Sequence, residues 1–183
     1  MGTASSEHLL RPSGPETNNG SATLALRVSK VAFIFAMALY FAIVAFDNVT
    51  DYGTNFTFVA HVLSMDSLPK DQNVIWRSIQ SSKYHHLAYW IIILWEFAAA
   101  LVCAVGAFSL LRSLRSSVAF NAKKTYAILG LSAGLLLWVV AFITVGGEWF
   151  LMWESPWSGE LAAFRMFTIN AFVLGFLVLP DAD

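Results

Sequence analysis

Residues 31–46 read VAFIFAMALYFAIVAF, an uncharged apolar stretch between Lys30 and Asp47. A helix that crosses the hydrocarbon core of a membrane needs about 17–25 mostly apolar residues. Strands with open edges are excluded in such a stretch, because unpaired backbone groups in lipid cost several kcal/mol each. The sequence therefore predicts an all-α, polytopic membrane four-helix bundle. The predicted spans are residues 30–47, 86–111, 126–145 and 161–179.

The overall composition agrees with a membrane protein. Of the 183 residues, 57% are hydrophobic and 13% are charged, whereas a soluble domain has about 45–50% apolar and about 25% charged residues. The formal net charge of −1 gives no basic surface for nucleic acid. A single cysteine, Cys103, excludes an internal disulfide and a metal site of the CxxC type. Known catalytic motifs are missing, which disfavours an enzyme without excluding one.

The distribution of Lys and Arg predicts the orientation of the bundle, since these residues concentrate in cytoplasmic loops. Arg27 and Lys30 precede the first span, and the loop between spans two and three contains Arg112, Arg115, Lys123 and Lys124. Both termini should therefore be cytoplasmic, and loops one and three should face outside. Residues 1–26 are predicted to be a disordered cytoplasmic tail because they are rich in Ser, Gly, Pro and Asn. Residues 27–183 form the predicted four-helix domain.

The long first loop, residues 48–85, should contain secondary structure of its own. Apolar residues recur at helical spacing in residues 56–65 and again in residues 71–80, which predicts two short surface helices. Small residues should allow the spans to pack closely. Gly130 and Gly134 provide such a pair in the third span.

Glu96 is the only acid deep in a predicted span. It lies about 13 Å below the outer end of span two, and Asn170 lies about 12 Å below that of span four. The favoured interpretation is a protonated Glu96 hydrogen-bonded to Asn170 or to a backbone carbonyl. Tyr89 and Trp90 lie nearby, so a quinone, lipid or other small-ligand site is the alternative, since an intramembrane acid is a functional candidate by default.

Charged and metal-ligating side chains concentrate at the outer side. Arg165, near the outer end of span four, should snorkel to the interface or pair with Glu148 or Asp47. His61, His85 and His86 could hold an outer-face metal, for example copper with Met65 or Asp66. Polar capping of the helix ends is the favoured role for these histidines, and no cofactor is required by the sequence.

Two stretches carry a family resemblance. They are DNVTDYGTNFTFVAHVLSMD, residues 47–66, and VGGEWFLMWESPWSGELAAFR, residues 145–165. They resemble the two signature stretches of the bacterial predicted small integral membrane proteins classed as domain of unknown function 2165. The resemblance covers roughly residues 28–179. It implies the four-span topology and a bacterial inner (cytoplasmic) membrane location, and it assigns no catalytic residue.

Both stretches fall on the predicted outer side, in loops one and three. We therefore expect these loops, residues 48–85 and 146–160, to pack together as a cap that could serve as an interaction surface. The candidate interface residues are Asn48, Asp51, Asn55, His61, Glu148, Trp149, Trp153, Trp157 and Arg165.

The leading functional hypothesis is a non-catalytic accessory subunit. It would contact membrane lipids and dock onto a larger respiratory, photosynthetic or transport complex through the cap or laterally. The alternatives are a lipid or quinone site near Glu96, a metal or redox site at His61, His85 and His86, and a channel or transporter. Stoichiometric co-purification with a larger partner would distinguish the first from the others.

Overall fold

The computed structural model describes residues 19–182, which are helical with connecting loops and contain no strand. This confirms the predicted fold class. Four long apolar helices have the length needed to cross a membrane. They are α1 (Asn19–Thr50), α3 (Ser82–Leu111), α5 (Thr125–Leu136) with its π-helical continuation (Leu137–Trp149), and α6 (Glu160–Val178).

The predicted span bounds differ most at the first helix. α1 begins at Asn19, so residues 19–26, predicted as part of the tail, are helical. Residues 1–18, the rest of the predicted tail, lie outside the described residues. The other three spans begin and end within a few residues of their predicted positions, because abrupt changes from apolar to polar composition mark their ends.

Short helices occupy the connections. The first loop contains two, as predicted: α2 (Tyr52–Ser64) and a 3₁₀ turn (Ile75–Arg77). The second is shorter than the predicted residues 71–80, because the backbone of Ile79 turns away to donate a hydrogen bond to the Leu63 carbonyl at 2.8 Å. The remaining short elements are α4 (Ser117–Ala122) and a 3₁₀ turn (Met152–Glu154).

The bundle is organised around α3. Helix α1 packs along one side of α3 and α5 along another, while α6 packs mainly against α5 and its π-helical continuation. The predicted small-residue packing is confirmed at Gly130, where an added Cβ would lie 2.6 Å from the backbone nitrogen of Cys103. Gly106 meets the backbone of Ala127 in the same way. Because these glycines have no side chain, the backbones of α3 and α5 come almost into contact.

The π-helical segment was not predicted from the sequence. The segment is rich in β-branched residues, whose side chains are sterically crowded in a regular α-helix. They are Val139, Val140, Ile143, Thr144 and Val145. The segment ends with a hydrogen bond from the Phe150 amide to the carbonyl five residues earlier, at 3.0 Å. Such segments are rare and often found at functional sites.

The two ends of the bundle differ in chemistry. At one end, α2 and the first turns of α3 enclose a second apolar core with Phe150 and Met152. This end carries loops one and three and is the cap. At the other end, which we call the tail end, residues 179–182 fold back onto α1 and α4–α5.

Candidate functional site

A buried polar network links α1 to α3 beneath the cap. The side-chain nitrogen Nδ2 of Asn48 donates a hydrogen bond to Glu96 Oε2 at 2.7 Å. The Tyr89 hydroxyl donates to the Asn48 carbonyl at 2.9 Å and to its side-chain Oδ1 at 3.1 Å. Tyr89 and Glu96 are 2% and 1% exposed. They lie seven residues apart, and therefore on one face of α3.

The sequence predicted Asn170 or a backbone carbonyl as the partner of Glu96, but the partner in the structure is the side chain of Asn48. The side chain of Asn170 donates to the Leu131 carbonyl at 3.0 Å and lies against Gly134. The reason is the neighbour order of the helices, since α6 packs on α5 rather than on α3. Similar distances from the helix ends, which residue counts predict for Glu96 and Asn170, do not by themselves bring two side chains together.

This network makes a prediction for a matched pair of variants. Glu96→Gln retains an oxygen that accepts the Asn48 hydrogen bond, so we expect a change in unfolding free energy within about 1 kcal/mol. Glu96→Leu leaves the Asn48 amide without its acceptor in a buried site, which should cost about 2 kcal/mol. Denaturant unfolding in detergent micelles measures both. Equal losses in the two variants would show that the carboxylate charge, and not the hydrogen bond, is what stabilises the fold.

An aromatic cluster covers this network at the start of α3. The rings of Phe56 and His86 stack with centroids 4.0 Å apart, and the Tyr52 hydroxyl lies 2.7 Å from His86 Nδ1. Burial raises the pKa of Tyr52 above its usual value, so this hydroxyl remains protonated at neutral pH and can donate to the imidazole. Trp90 lies at the edge of the cluster, 5.9 Å from the Tyr52 ring, and is 45% exposed.

The three candidate metal ligands each have a different environment. His61 pairs with Asp66, Nδ1 to Oδ2 at 2.8 Å, and stacks on Trp157 with centroids 4.2 Å apart. His85 Nε2 lies 2.7 Å from the Ile79 carbonyl oxygen, and His86 belongs to the aromatic cluster. Within residues 19–182, no group of three or more His, Cys, Asp or Glu side chains could hold a metal.

Loops one and three do pack against each other in the cap. The Ser67 and Ser155 hydroxyls lie 2.7 Å apart, and Gln72 bonds to Glu154. Arg77 joins the loops most extensively, because its guanidinium lies 4.7 Å from the Trp149 ring and donates to the Trp149 carbonyl at 3.4 Å. Sequence reasoning did not single out Arg77, although a lone Arg in a loop facing several tryptophans is a usable signal for a cation–π contact.

The other predicted cap residues lie at its surface. Asn55 donates to Asp47 Oδ2 at 3.3 Å, and the backbone of Asp51 accepts from the Asn55 amide at 3.4 Å. Trp153 is 52% exposed, and Glu148 is exposed as well. These side chains form a polar and aromatic surface on the cap.

Arg165 has a different environment from the predicted one. It is exposed in the second turn of α6, and it forms no ion pair with Glu148, Asp47 or any other carboxylate in the part of the chain that the structure describes.

A buried charged cluster lies at the tail end, and it was not predicted from the sequence. Asp181 Oδ2 accepts from the ammonium groups of Lys30 at 2.9 Å and Lys124 at 2.6 Å. The same two ammonium groups donate to the Leu179 carbonyl, each at 2.7 Å. Asn121 binds the backbone of Asp181 on both sides, with its Nδ2 donating to the carbonyl and its Oδ1 accepting from the amide.

The pKa values in this cluster follow from burial and charge. Burial lowers the pKa of Lys124 from its usual value, and the positive charge of Lys30 acts in the same direction. Burial opposes ionisation of Asp181, but the hydrogen bonds from Lys124 and Lys30 outweigh it and hold the pKa of Asp181 below its usual range. The carboxylate is therefore ionised in the folded protein at neutral pH.

The fold and these polar clusters define an α-helical integral membrane protein with four candidate spans. The chain belongs to the family of predicted small integral membrane proteins called domain of unknown function 2165, whose profile matches residues 26–180. Neither curated proteins nor solved structures gave a match. The family membership confirms the resemblance seen in residues 47–66 and 145–165.

Proposed function

We propose that this protein is a non-catalytic subunit of a larger membrane complex, which it joins through one lateral face of α6. The observation that carries the proposal is Arg165, an exposed cation inside a span with no ion pair among residues 19–182. Five residues separate it from the first residue of α6, so it lies about 7.5 Å along the helix. An ionisable side chain within a membrane span is a functional candidate by default.

The rest of this helix face suits a partner helix. Leu161, Thr168 and Phe172 recur at helical spacing beside Arg165. An added Cβ at Gly175 would meet nothing within 4 Å, so a groove is open to a second backbone there. Of the four spans, α6 is the least buried within its own bundle. Of its most apolar stretch 22% is buried, compared with 39% in α1 and 39% in α3.

Charge complementarity specifies the partner. A transmembrane helix that carries Asp or Glu at the depth of Arg165 would form a bidentate guanidinium–carboxylate pair, the strongest kind of hydrogen-bonded ion pair. The absence of a side chain at Gly175 would let the two helices approach closely. The partner is therefore a membrane protein of a respiratory, photosynthetic or transport assembly with an intramembrane acid.

The proposal includes an orientation. Arg112, Arg115 and Lys123 lie in the connection between α3 and α5, at the tail end of the bundle. The excess of basic residues in this connection supports a cytoplasmic tail end and a cap that faces outward from a bacterial inner membrane.

A matched pair of arginine variants tests the docking. Arg165→Leu removes the charge that recognises the partner, so the fraction of protein recovered in the complex after gentle solubilisation should fall at least about tenfold. Arg112→Leu removes an exposed arginine at the tail end and should leave the recovery unchanged. Quantitative mass spectrometry of the purified complex measures the stoichiometry of each preparation.

Two further outcomes decide which chemical group binds Arg165. If it is a carboxylate, Arg165→Glu combined with a lysine at the partner's acid should restore the complex. If Arg165 binds only lipid phosphate, Arg165→Leu will leave every protein stoichiometry unchanged, and the proposal is then wrong.

A further inference from the structure

An apolar pocket of about 250 Å³ lies between α2, α3 and the π-helical segment. All of its lining residues are apolar. Val59, Leu63 and Met152 form its inner wall and are 8%, 9% and 1% exposed. None of its lining residues belongs to α6, so this pocket is separate from the face proposed to bind a partner.

The pocket opens toward lipid. Its lining also includes Ile91, Val140 and Val145, which are 51%, 41% and 40% exposed. Ile91 and Val140 lie within the membrane-spanning helices, so the opening between α3 and the π-helical segment faces the hydrocarbon. Helix α2 closes the pocket on the side of the cap. A molecule can therefore enter from the bilayer without crossing water.

The π-helical winding creates one wall of this pocket. In a π-helix, hydrogen bonds join residues five apart, so side chains at that interval lie one above the other. Val140 and Val145 form one such pair, and Ala141 and Gly146 form another, and all four line the pocket. In a regular α-helix these pairs would point in different directions. The π-helical backbone thus places Val140 and Val145 on one wall of the pocket, next to the small residues Ala141 and Gly146.

We infer that this pocket binds one hydrocarbon chain of a membrane phospholipid. An apolar cavity of about 150 Å³ is enough to hold benzene, so about 250 Å³ accommodates a segment of a single chain and not two chains. The lining offers no hydrogen-bond donor, so a quinone ring inside it would leave its carbonyls unsatisfied at a high cost. The headgroup accordingly remains outside, at the level of the cap.

Neither the polar network nor the candidate ligand residues take part in this site. Glu96, Tyr89, Trp90 and Asn170 are not among the lining residues. The chain is held by shape and apolar contact, and its presence fills the space between α2 and the bundle. A bound chain would therefore support the packing of α2 on α3.

Two alanines of α3 provide a matched test. Ala88 lines the pocket, whereas Ala98 is exposed elsewhere on the same helix. Delipidated protein would be titrated with palmitoyl-oleoyl-phosphatidylglycerol and examined by native mass spectrometry. We expect one lipid bound to the original protein and to Ala98→Phe, and about tenfold weaker binding to Ala88→Phe, because the phenyl ring occupies the pocket.

Further measurements make the result decisive. Ala141→Phe fills the pocket from the opposite wall and should weaken binding in the same way, which guards against misfolding of one variant. Dihexanoyl-phosphatidylglycerol has the same headgroup with short chains and should bind poorly. Equal binding of the short-chain lipid, preference for decylubiquinone, or unchanged lipid binding in both filled variants would overturn the inference.

Discussion

Asp181→Asn should lower the free energy of unfolding by about 3 kcal/mol at neutral pH, because removing one partner of a buried ion pair leaves an uncompensated charge. The Asp181 carboxylate is the shared acceptor of two ammonium groups, those of Lys30 and Lys124, whose side chains are 3% and 7% exposed. Asparagine keeps the shape of the side chain and removes only the charge. Denaturant unfolding in detergent micelles measures the effect.

The matched control is Asp66→Asn. Asp66 also contacts a basic side chain, the imidazole of His61, but the Asp66 side chain is 47% exposed. Solvent screens such pairs, so the control should change stability by at most about 1 kcal/mol. Equal effects of the two substitutions would contradict a special role for the buried cluster.

The pH dependence of this stabilisation has a defined sign. The folded-state pKa of Asp181 lies below its usual value, so the unfolded chain binds the proton more readily than the folded protein. The stabilisation is complete above the pKa of the unfolded side chain, about 3.9, and is lost as the pH falls through the folded-state pKa. Unfolding measured from pH 7 down to pH 3 should therefore show a steeper acid loss for the original protein than for Asp181→Asn.

The second large effect is expected at Gly130, where Gly130→Val should cost about 3 kcal/mol or more through overpacking. An added Cβ would lie 2.6 Å from both the backbone nitrogen and Sγ of Cys103. Backbone cannot rotate away as a side chain does, so α3 and α5 must separate. The loss of stability is measured in the same micellar unfolding assay.

Gly175→Val is the matched control for this substitution. Gly175 also lies in a membrane-spanning helix, but a Cβ there would meet nothing within 4 Å. Valine has a slightly higher helix propensity than glycine, so in the isolated protein Gly175→Val should change the free energy of unfolding by less than about 1 kcal/mol. A loss at Gly175→Val as large as that at Gly130→Val would show that contact between α3 and α5 does not explain the result at Gly130.

Much of the fold could be predicted from the sequence. Four long apolar stretches determine four spans because the bilayer imposes a minimum length, and α3 begins at Ser82 and ends at Leu111, close to the predicted residues 86–111. The π-helical segment could not be predicted in this way. Residues 137–145 are almost entirely apolar, so they carry no polar–apolar period that would distinguish one helical winding from another.

The candidate sites were predictable only in part. Residue counting predicts how far Glu96 and Asn170 lie from the ends of their helices, but it gives no information on which helices are neighbours. The pairing of Glu96 with Asn48 depends on the packing of α1 against α3. The cluster at Asp181 depends on the chain folding back after α6, where the sequence shows two acids, Asp181 and Asp183, after Pro180 and no pattern that indicates their partners. Both sites are formed by contacts between single residues that lie far apart in the sequence.

The central claim, that a face of α6 binds a partner helix, is tested most directly by a photoreactive residue placed at Phe172 in intact cells. Phe172 is 75% exposed on this face, and Leu101, 66% exposed on α3, is the control position. We predict a cross-link from Phe172 to one partner polypeptide that carries an intramembrane acid, and lipid adducts alone from Leu101. Lipid adducts alone from both positions, or cross-links only to a second copy of this chain, would contradict the claim.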